Sequence, residues 1–232
     1  MGRAVVDEKE IYVSVSDELR GRTVGVLGGT GPQGRGLARR FGAAGLDVVL
    51  GSRDAERAAR TAAALPGRVR GGSNADAAAQ ADIVVVAVPW DGHAELLTTL
   101  APALAGKIVV DCVNPLGFDK QGAYALPVAE GSAAQQAAAI LTGSRVVAAF
   151  HHVSAVHLED PDLDRVDTDV LVLGDDREAT DLVRELAAAI PGVRGVYGGR
   201  LRNAHQVEAF TANLISVNRR YRAHAGLRVT DV

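Results

Sequence analysis

Three glycines with the spacing G-x-G-x-x-G occur near the start of the chain. In a turn of this kind the first glycine permits a tight bend, the second lets the backbone approach a pyrophosphate, and the third lets helix and strand pack closely. Backbone N–H groups at the following helix start then bind the phosphates without a cationic side chain. The predicted cofactor contacts of the turn are Gly29, Thr30, Gly31, Pro32, Gln33 and Gly34.

The surroundings of the turn decide whether the glycines bind a nucleotide, because glycine-rich turns are common. An apolar run at residues 24–27 precedes it, and an amphipathic stretch with Leu37, Ala38 and Phe41 follows it. A second apolar run at residues 48–50 completes the pattern of a βαβ unit. The context favours dinucleotide binding, and the alternative is a merely structural turn.

The end of the second strand indicates which dinucleotide binds. An NAD site usually has a carboxylate about 20 residues after the glycines, where it binds the ribose 2′-OH. This chain has Ser52 and Arg53 there, and Arg57 follows one helical turn later. A hydroxyl and two guanidinium groups bind a 2′-phosphate by charge-assisted hydrogen bonds. We therefore predict NADP(H), with the alternative that both arginines are ordinary surface charges.

Three later segments follow apolar strands and should meet over the nicotinamide, since ligands of open α/β sheets bind at the carboxyl ends of the strands. Trp90 has the alternative of a core aromatic, and Asn114 that of a turn residue. The residues predicted to contact cofactor or substrate here are Val88, Pro89, Trp90, Asn114, His151, Val153, Ser154 and Ala155.

The histidine-rich segment could in principle bind a metal, because His151, His152, His157 and Glu159 are close in sequence. Neither an HExxH pattern nor an i,i+4 helical pair is present, so no metal site is predicted. A single histidine that lines the substrate pocket is the favoured interpretation, with His151 orienting the substrate and not serving as an obligatory acid.

The chain lacks the acids on which carbonyl reductases depend. No tyrosine is followed four residues later by lysine, and the lysines are Lys9, Lys107 and Lys120, so none lies beyond residue 120. Carbonyl reduction needs a proton for the developing alkoxide. The pattern therefore favours a hydride acceptor that needs little acid help, such as a flavin-like ring.

The composition limits the class of protein. The 232 residues are 47% hydrophobic and carry a formal net charge of −3, which gives no general attraction to nucleic acid or to an anionic membrane. The single cysteine, Cys112, ends an apolar strand and is predicted to be a core residue. Without a secretory segment or a membrane-spanning run, we expect a soluble cytoplasmic protein, as a homodimer or higher homo-oligomer.

Strands and helices alternate from residue 23 onward, and the continuous apolar strands predict a doubly wound, Rossmann-type parallel sheet of the α/β class. The alternating run at Ile11, Val13 and Val15 could form an extra edge strand or hairpin. We predict an N-terminal extension at 1–22, an NADP-binding Rossmann domain at 23–150, and a small C-terminal α/β domain at 151–232 that closes the substrate cleft.

Five segments together resemble one family. GGTGPQG, GSRDAER, VPW, VVAAFHHVSA and HAGLRV are similar to the NADPH-dependent reductases of coenzyme F420, an 8-hydroxy-5-deazaflavin, and the resemblance covers about residues 23–230. It implies hydride transfer between NADP(H) and the deazaflavin, which stacks on the nicotinamide. It also implies 2′-phosphate contacts by Thr30, Ser52, Arg53 and Arg57, and contacts near the nicotinamide ribose by Val88 and Pro89. The implied deazaflavin contacts are His151, Val153, Ser154, Ala155, Ala225 and Gly226.

Two other functions are compatible with the same scaffold. One is an NADP-dependent reductase of an imine or carbonyl, against which the missing late lysine argues. The other is a non-catalytic Rossmann module that senses NADP, which would need no second ligand pocket.

Overall fold

The computed structural model describes residues 15–232. The expected edge strand at Ile11 and Val13 lies outside these residues. Where the described chain begins, Val15 is buried and a short helix follows, with the Ser16 hydroxyl accepting a hydrogen bond from the N–H of Leu19. Leu19 is buried in the core and anchors this helix.

The described residues form ten strands and nine helices. The strands are β1 Thr23–Leu27, β2 Asp47–Ser52, β3 Arg68–Ser73, β4 Ile83–Val86, β5 Ile108–Asp111, β6 Leu116–Asp119, β7 Gly122–Ala125, β8 Arg145–Ala148, β9 Thr168–Gly174 and β10 Val193–Gly199. The helices are α1 Asp17–Arg20, α2 Pro32–Ala43, α3 Ala55–Ala62, α4 Asn74–Gln80, α5 His93–Leu104, α6 Ala133–Ile140, α7 Ala155–Glu159, α8 Arg177–Ala188 and α9 Ala204–Tyr221.

Eight strands form one sheet in the order β10-β9-β8-β5-β4-β1-β2-β3. All neighbouring strands are parallel except β8 and β9. Strands β2 and β3 follow β1 on one side of it in the sheet. The chain then crosses over, so that β4 pairs with the other side of β1. Ligands of such sheets bind outside the strand ends where the order reverses, which here is between β1 and β4. The predicted Rossmann-type fold is confirmed.

Both faces of the sheet are covered, which explains why its strands are continuously apolar. On one face α2, α3, α7 and α8 bury a cluster that includes Leu37, Phe41 and Leu182. On the other face α4, α5, α6 and α9 bury a second cluster around Leu97 and Val207. Full burial of side chains such as Phe41 contributes about 1.5–3 kcal/mol each. Among the described residues, no helix is both long and apolar enough to cross a bilayer.

The C-terminal part continues the same sheet. The β9–α8–β10 unit joins it through the antiparallel β8–β9 pair, in which Val147 faces Gly174 and Ala148 faces Leu173. Helix α9 then packs on α6 and on the β6–β7 hairpin, which the sequence analysis did not predict. The division of the chain at residue 150 stays a prediction, since the sheet runs across it.

A buried charge cluster attaches the chain terminus to β9 and β10. Asp169 lies in β9, is fully buried, and accepts hydrogen bonds from Arg194 and Arg228. The hydrogen bonds from Arg194 in particular hold the pKa of the Asp169 carboxyl well below its usual range. The terminal segment that follows α9 is thus fixed along the edge of the sheet.

Arg40 connects α2 to the segment that follows β8. Its guanidinium is buried and donates four hydrogen bonds to the main-chain carbonyl oxygens of His157, Leu158, Asp160 and Leu163, at 2.5–3.0 Å. One side chain therefore satisfies carbonyl groups at and beyond the end of α7, which would otherwise be left without donors.

Arg40→Ala should lower the free energy of unfolding by at least about 2 kcal/mol, because it leaves buried carbonyl oxygens without a donor. Urea unfolding followed by circular dichroism measures the loss. Arg39→Ala is the matched control, since Arg39 is adjacent and makes no side-chain hydrogen bond within residues 15–232; it should cost less than about 0.5 kcal/mol. Equal losses in the two variants would contradict this role of Arg40.

Candidate functional site

The glycine-rich turn lies between β1 and α2, and the N–H groups of Gly29 and Gly31 are hydrogen-bonded to the carbonyl oxygens of Gly51 and Gly28. Helix α2 begins at Pro32, and Gly31 precedes it without any side-chain cap. The first N–H groups of the helix are therefore free to bind an anion. Gly34 must be glycine, because a Cβ there would lie 2.8 Å from the Cα of Gly29.

The sequence analysis missed the role of Gly28, the residue that starts the turn. Its φ is +69°, and a Cβ would lie 2.5 Å from the carbonyl oxygen of Ala87. Its N–H donates to Oδ1 of Asn74, a buried residue at the start of α4, at 3.1 Å. Asn74 carried no signal in the sequence, because a lone asparagine at a helix start is commonplace.

Gln33 links the glycine-rich turn to the end of β8. Its side-chain amide donates to the carbonyl oxygen of Phe150 at 3.0 Å. Phe150 is fully buried with φ +64° and packs edge-to-face on Phe41 of α2, with ring centroids 6.0 Å apart. The turn and the 151–155 segment are therefore neighbours, as the convergence of the strand ends predicts.

The end of β2 has a free cationic surface beside two hydroxyl groups. Ser52 Oγ lies 3.4 Å from Thr30 Oγ1. Arg53 and Arg57 are exposed, and within residues 15–232 neither makes an ion pair. The nearby carboxylate of Asp54 accepts a hydrogen bond from the N–H of Arg57 and caps α3. Both guanidinium groups thus remain available to a ligand.

The segment after β4 includes Val88, Pro89 and Trp90. Pro89 is exposed, and the other two residues are half-buried. Trp90 packs on the ring of His93, with centroids 5.5 Å apart, and on the core beneath. Cys112 is buried and its thiol donates to the carbonyl oxygen of Val86; burial raises the pKa of this thiol. A core role for Cys112 follows.

A buried ion pair supports these loops from below. His93 Nε2 lies 2.7 Å from Asp111 Oδ2, and neither side chain is exposed. Burial lowers the pKa of His93, but its hydrogen bond to Asp111, the charge of Asp111 and the contact with Gln136 together raise it above the usual value. Asp111 Oδ1 also accepts from the N–H of Val113. The pair therefore positions both the 112–114 segment and Trp90.

Asn114 is hydrogen-bonded to the main chain of His151, and both side chains have unpaired polar atoms. Asn114 donates to the carbonyl oxygen of His151 at 2.9 Å. Asn114 Oδ1 and both ring nitrogens of His151 are buried and have no hydrogen-bond partner within the described residues. Burial lowers the pKa of His151 to about 4, so the ring is neutral near pH 7. Such atoms require a polar partner, because unpaired buried groups are costly.

Asn114 and His151 are among the residues that line a cavity of about 290 Å³ between the 151–156 segment, α9 and the chain terminus. Six predicted substrate contacts meet there, and Ser154 additionally caps α7. Gly226 lies outside the lining and packs on β9, where a Cβ would lie 2.6 Å from Thr168 Oγ1. The lining residues are Asn114, Leu116, His151, His152, Val153, Ser154, Ala155, Val156, Thr211, Leu214, Ile215, Asn218, His224 and Ala225.

The remaining features of the surface do not compete with this cavity. A larger depression of about 450 Å³ is lined by Glu18 and α8 side chains, most of them carboxylates, and includes none of the strand-end segments. Within residues 15–232, His, Cys, Asp and Glu side chains do not gather in a group of three that could hold a metal ion. The chemistry is thus expected where neutral polar atoms adjoin the nucleotide turn.

Comparison with known proteins agrees with this geometry. Residues 23–115 match the family described as "NADP oxidoreductase coenzyme F420-dependent". A solved structure from Arthrobacter sp. FB24, described as a proposed F420-dependent NADP reductase, superposes with a TM-score of 0.78 at 27% identity, covering 89% of this chain and 98% of that one. An imine reductase from Bacillus cereus, with a TM-score of 0.60 and 19% identity over 86% of this chain and 63% of that one, shows a shared fold alone.

The similarity also extends over the whole sequence. The F420-dependent NADP reductase of Methanothermobacter thermautotrophicus is 41% identical over 221 residues, which are 90% of this chain and 95% of that protein. The chain therefore belongs to the family of F420-dependent NADP reductases.

Proposed function

We propose that this protein transfers a hydride reversibly between NADP(H) and the deazaflavin coenzyme F420. The observation that carries the proposal is that the glycine-rich turn and the neutral cavity lie at the same edge of the sheet and are joined through Gln33 and Phe150. A dinucleotide that extends from the turn toward β4 and β5 brings its nicotinamide to the mouth of this cavity. Membership of the F420-dependent family supports the identity of the second ligand.

For the adenine half of NADP(H), we assign the pyrophosphate to the turn from Gly29 to Gly34. The 2′-phosphate is assigned to Arg53 and Arg57 with the hydroxyl groups of Thr30 and Ser52. The free guanidinium groups and the 3.4 Å spacing of the two hydroxyl oxygens support this assignment. Bidentate and charge-assisted hydrogen bonds make arginine well suited to phosphate.

For the reacting half, we assign Val88, Pro89 and Trp90 to the nicotinamide side, and the cavity to the deazaflavin ring. The orphaned atoms fit such a ring: Asn114 Oδ1 accepts from a ring N–H, and His151 donates to a ring carbonyl oxygen. Val153, Ser154, Ala155 and Ala225 complete the cavity. We keep Gly226 as a backbone support of this wall and not as a direct contact.

The bound pair supplies the redox chemistry, in which a hydride passes between the nicotinamide and the deazaflavin. The contribution of the chain is to hold two rings in contact and to exclude water. The His93–Asp111 pair fixes the loops under the nicotinamide position, and neutral His151 orients the second ring. His151 does not have to move a proton, since its burial opposes the charged form.

The division into domains, the oligomeric state and the cellular location are proposed from the sequence and from exposed surface residues. We assign 23–150 to NADP(H) binding and 151–232 to closure of the deazaflavin cleft. We further propose a cytoplasmic homodimer or higher homo-oligomer without a nucleic-acid partner. The net charge of −3 and the exposed apolar residues Phe210 and Val217 of α9 support this view.

Mixing the purified protein with NADPH and oxidised coenzyme F420 should bleach the visible absorbance of the deazaflavin. Starting from the reduced coenzyme and NADP should restore it, because the same positioned rings serve both directions. A panel of small carbonyls and imines is the control and should leave NADPH unoxidised. If both ligands bind but no hydride moves either way, the protein is an NADP-binding module and the proposal is wrong.

Arg53→Ala should raise the KM for NADPH by between about tenfold and 150-fold, which corresponds to the loss of one or more charge-assisted hydrogen bonds. The KM for NADH should hardly change, since NADH lacks the 2′-phosphate. Adding Arg57→Ala should reduce the preference for NADPH further, though less than additively. Arg60→Ala on the same helix is the control, because Arg60 is exposed and pairs with Glu56. If the ratio of the KM for NADPH to the KM for NADH is the same in the double variant as in the wild type, the assignment of the 2′-phosphate to these arginines is wrong.

His151→Ala should weaken deazaflavin binding by about 0.5–1.5 kcal/mol, the contribution of one hydrogen bond, while NADP binding stays nearly constant. Because the pKa of His151 is about 4, the rate between pH 5 and 8 should contain no inflection that this substitution removes. Fluorescence titration and pH profiles measure both effects. His205→Ala on the exposed side of α9 is the control. Complete loss of turnover with both ligands bound would assign His151 an essential chemical step.

A further inference from the structure

The end of α9 has an unusual concentration of unneutralised positive charge. Residues 209–230 contain four arginines and no aspartate or glutamate, although the chain as a whole has a net charge of −3. Arg228 is neutralised by Asp167 and Asp169. Within the part of the chain that the structure describes, Arg219, Arg220 and Arg222 make no ion pair. Three guanidinium groups are therefore available to an external anion.

The chain path places one of these arginines at the mouth of the cavity. Asn218 lines the cavity from α9, and the chain then turns back so that the N–H of Ala225 donates to Asn218 Oδ1 at 2.7 Å. His224 and Ala225 line the same cavity. Arg222 lies within this turn, between two cavity-lining positions, and its side chain is exposed. Its position is thus at the rim and not in the interior.

The helix geometry distinguishes Arg222 from its neighbour Arg220. Helix α9 ends at Tyr221, and the Cα of the C-cap Arg222, four positions after Asn218, still lies close to the same line along the helix at 3.6 residues per turn. A residue two positions after Asn218 lies about 200° around the axis. Arg220 is therefore directed away from the face formed by Thr211, Leu214 and Asn218. This difference provides a matched pair of arginines, one beside the cavity and one opposite.

The residue type at Arg222 is unusual for the backbone conformation of this helix end. Its φ is +52°, in the left-handed region, where glycine is usual and a side chain is disfavoured. Favourable interaction with the helix dipole is already provided by Arg219 and Arg220 in the last turn. The structure thus has a long cationic side chain at a position where glycine would end the helix more favourably. Residues in such disfavoured conformations often have a functional reason.

We propose that Arg222, flanked by Arg219, forms an anion subsite at the cavity mouth that binds a phosphate or carboxylate group attached to the ring in the cavity. This inference rests on the proposed function and extends it to the part of the substrate outside the ring. Coenzyme F420 carries a phosphodiester and glutamate carboxylates on the chain attached to its ring. The neutral cavity holds the ring, and the rim binds the charged chain where water is present.

Binding should be measured by deazaflavin fluorescence, without NADPH, for three ligands. These are the deazaflavin with only its sugar-alcohol chain, the derivative that adds the phosphodiester, and the full coenzyme with its glutamates. In the wild type the two anionic ligands should bind more tightly than the deazaflavin with only its sugar-alcohol chain. This difference in affinity should become smaller as salt is added. The ligand at which the advantage first arises identifies phosphate or carboxylate as the bound group.

Arg222→Gly suits the left-handed backbone, so folding is not expected to suffer. It should weaken binding of the anionic ligands by about threefold to tenfold, a range typical of an exposed ion pair with some added hydrogen bonding. Binding of the uncharged deazaflavin should stay the same. Arg222→Lys should retain part of the advantage, and Arg220→Gly, matched in charge and opposite in position, should retain it fully.

If Arg222→Gly and Arg220→Gly lose the same affinity for the anionic ligands, the subsite is overturned, since the effect would then be general charge attraction. If Arg222→Gly weakens binding of the charged and the uncharged ligands equally, the subsite is also overturned, because Arg222 would then affect binding of the ring and not of the anionic chain. If the wild type binds all three ligands alike, the subsite fails while the proposed function stands. If it binds none of them, the proposed function itself fails.

Discussion

The close approach of α2 to the segment that follows β8 is the contact on which both halves of the site depend. The first turn of α2 presents free N–H groups at the position of the phosphates, and Gln33 from the same turn binds the carbonyl oxygen of Phe150. Farther along the helix, Gly36 allows contact with Leu158, because a Cβ there would lie 2.6 Å from the Cβ of Leu158, and Arg40 binds the carbonyl groups after α7. Since protein interiors are closely packed and transmit displacement, any shift of α2 moves the nucleotide turn and the deazaflavin loop together.

The distribution of charge follows from the same arrangement. Free guanidinium groups stand at the two outer ends, with Arg53 at the proposed 2′-phosphate site and Arg222 at the proposed anion subsite, where water screens them. Between them the polar atoms are neutral, as the lowered pKa of His151 indicates. The charge buried beneath the site is balanced, because His93 and Asp111 pair with each other and are further hydrogen-bonded. A neutral region between charged ends suits the transfer of a hydride between two rings, which requires little proton movement by the protein.

The features that the sequence did not reveal share a physical cause. The β6–β7 hairpin is short and half-exposed, so its residues lack the sustained alternation that identifies a strand. Asn74 and the His93–Asp111 pair are single polar residues at the ends of apolar elements, and their partners are 46 and 18 positions away in the chain. No spacing rule connects such residues, because their meeting depends on which strands become neighbours. The short helix Asp17–Arg20 before β1 was also not predicted; Ser16 caps it and Leu19 anchors it in the core.

By itself the sequence determined what depends on nearby residues: the glycine turn, the alternation of strands and helices, the serine and arginines after β2, and through its motifs the family. These features are local because a tight turn, a helix start and a phosphate contact are all made within a few residues of backbone. Only the tertiary structure decided which distant segments enclose the cavity. It brought Asn114, the 151–156 segment and α9 together, left Gly226 packed on β9, and joined the C-terminal strands to the main sheet through an antiparallel pair. Those outcomes depend on strand order, register and the packing of long-range contacts, which are properties of the whole chain and leave no pattern in any short part of it.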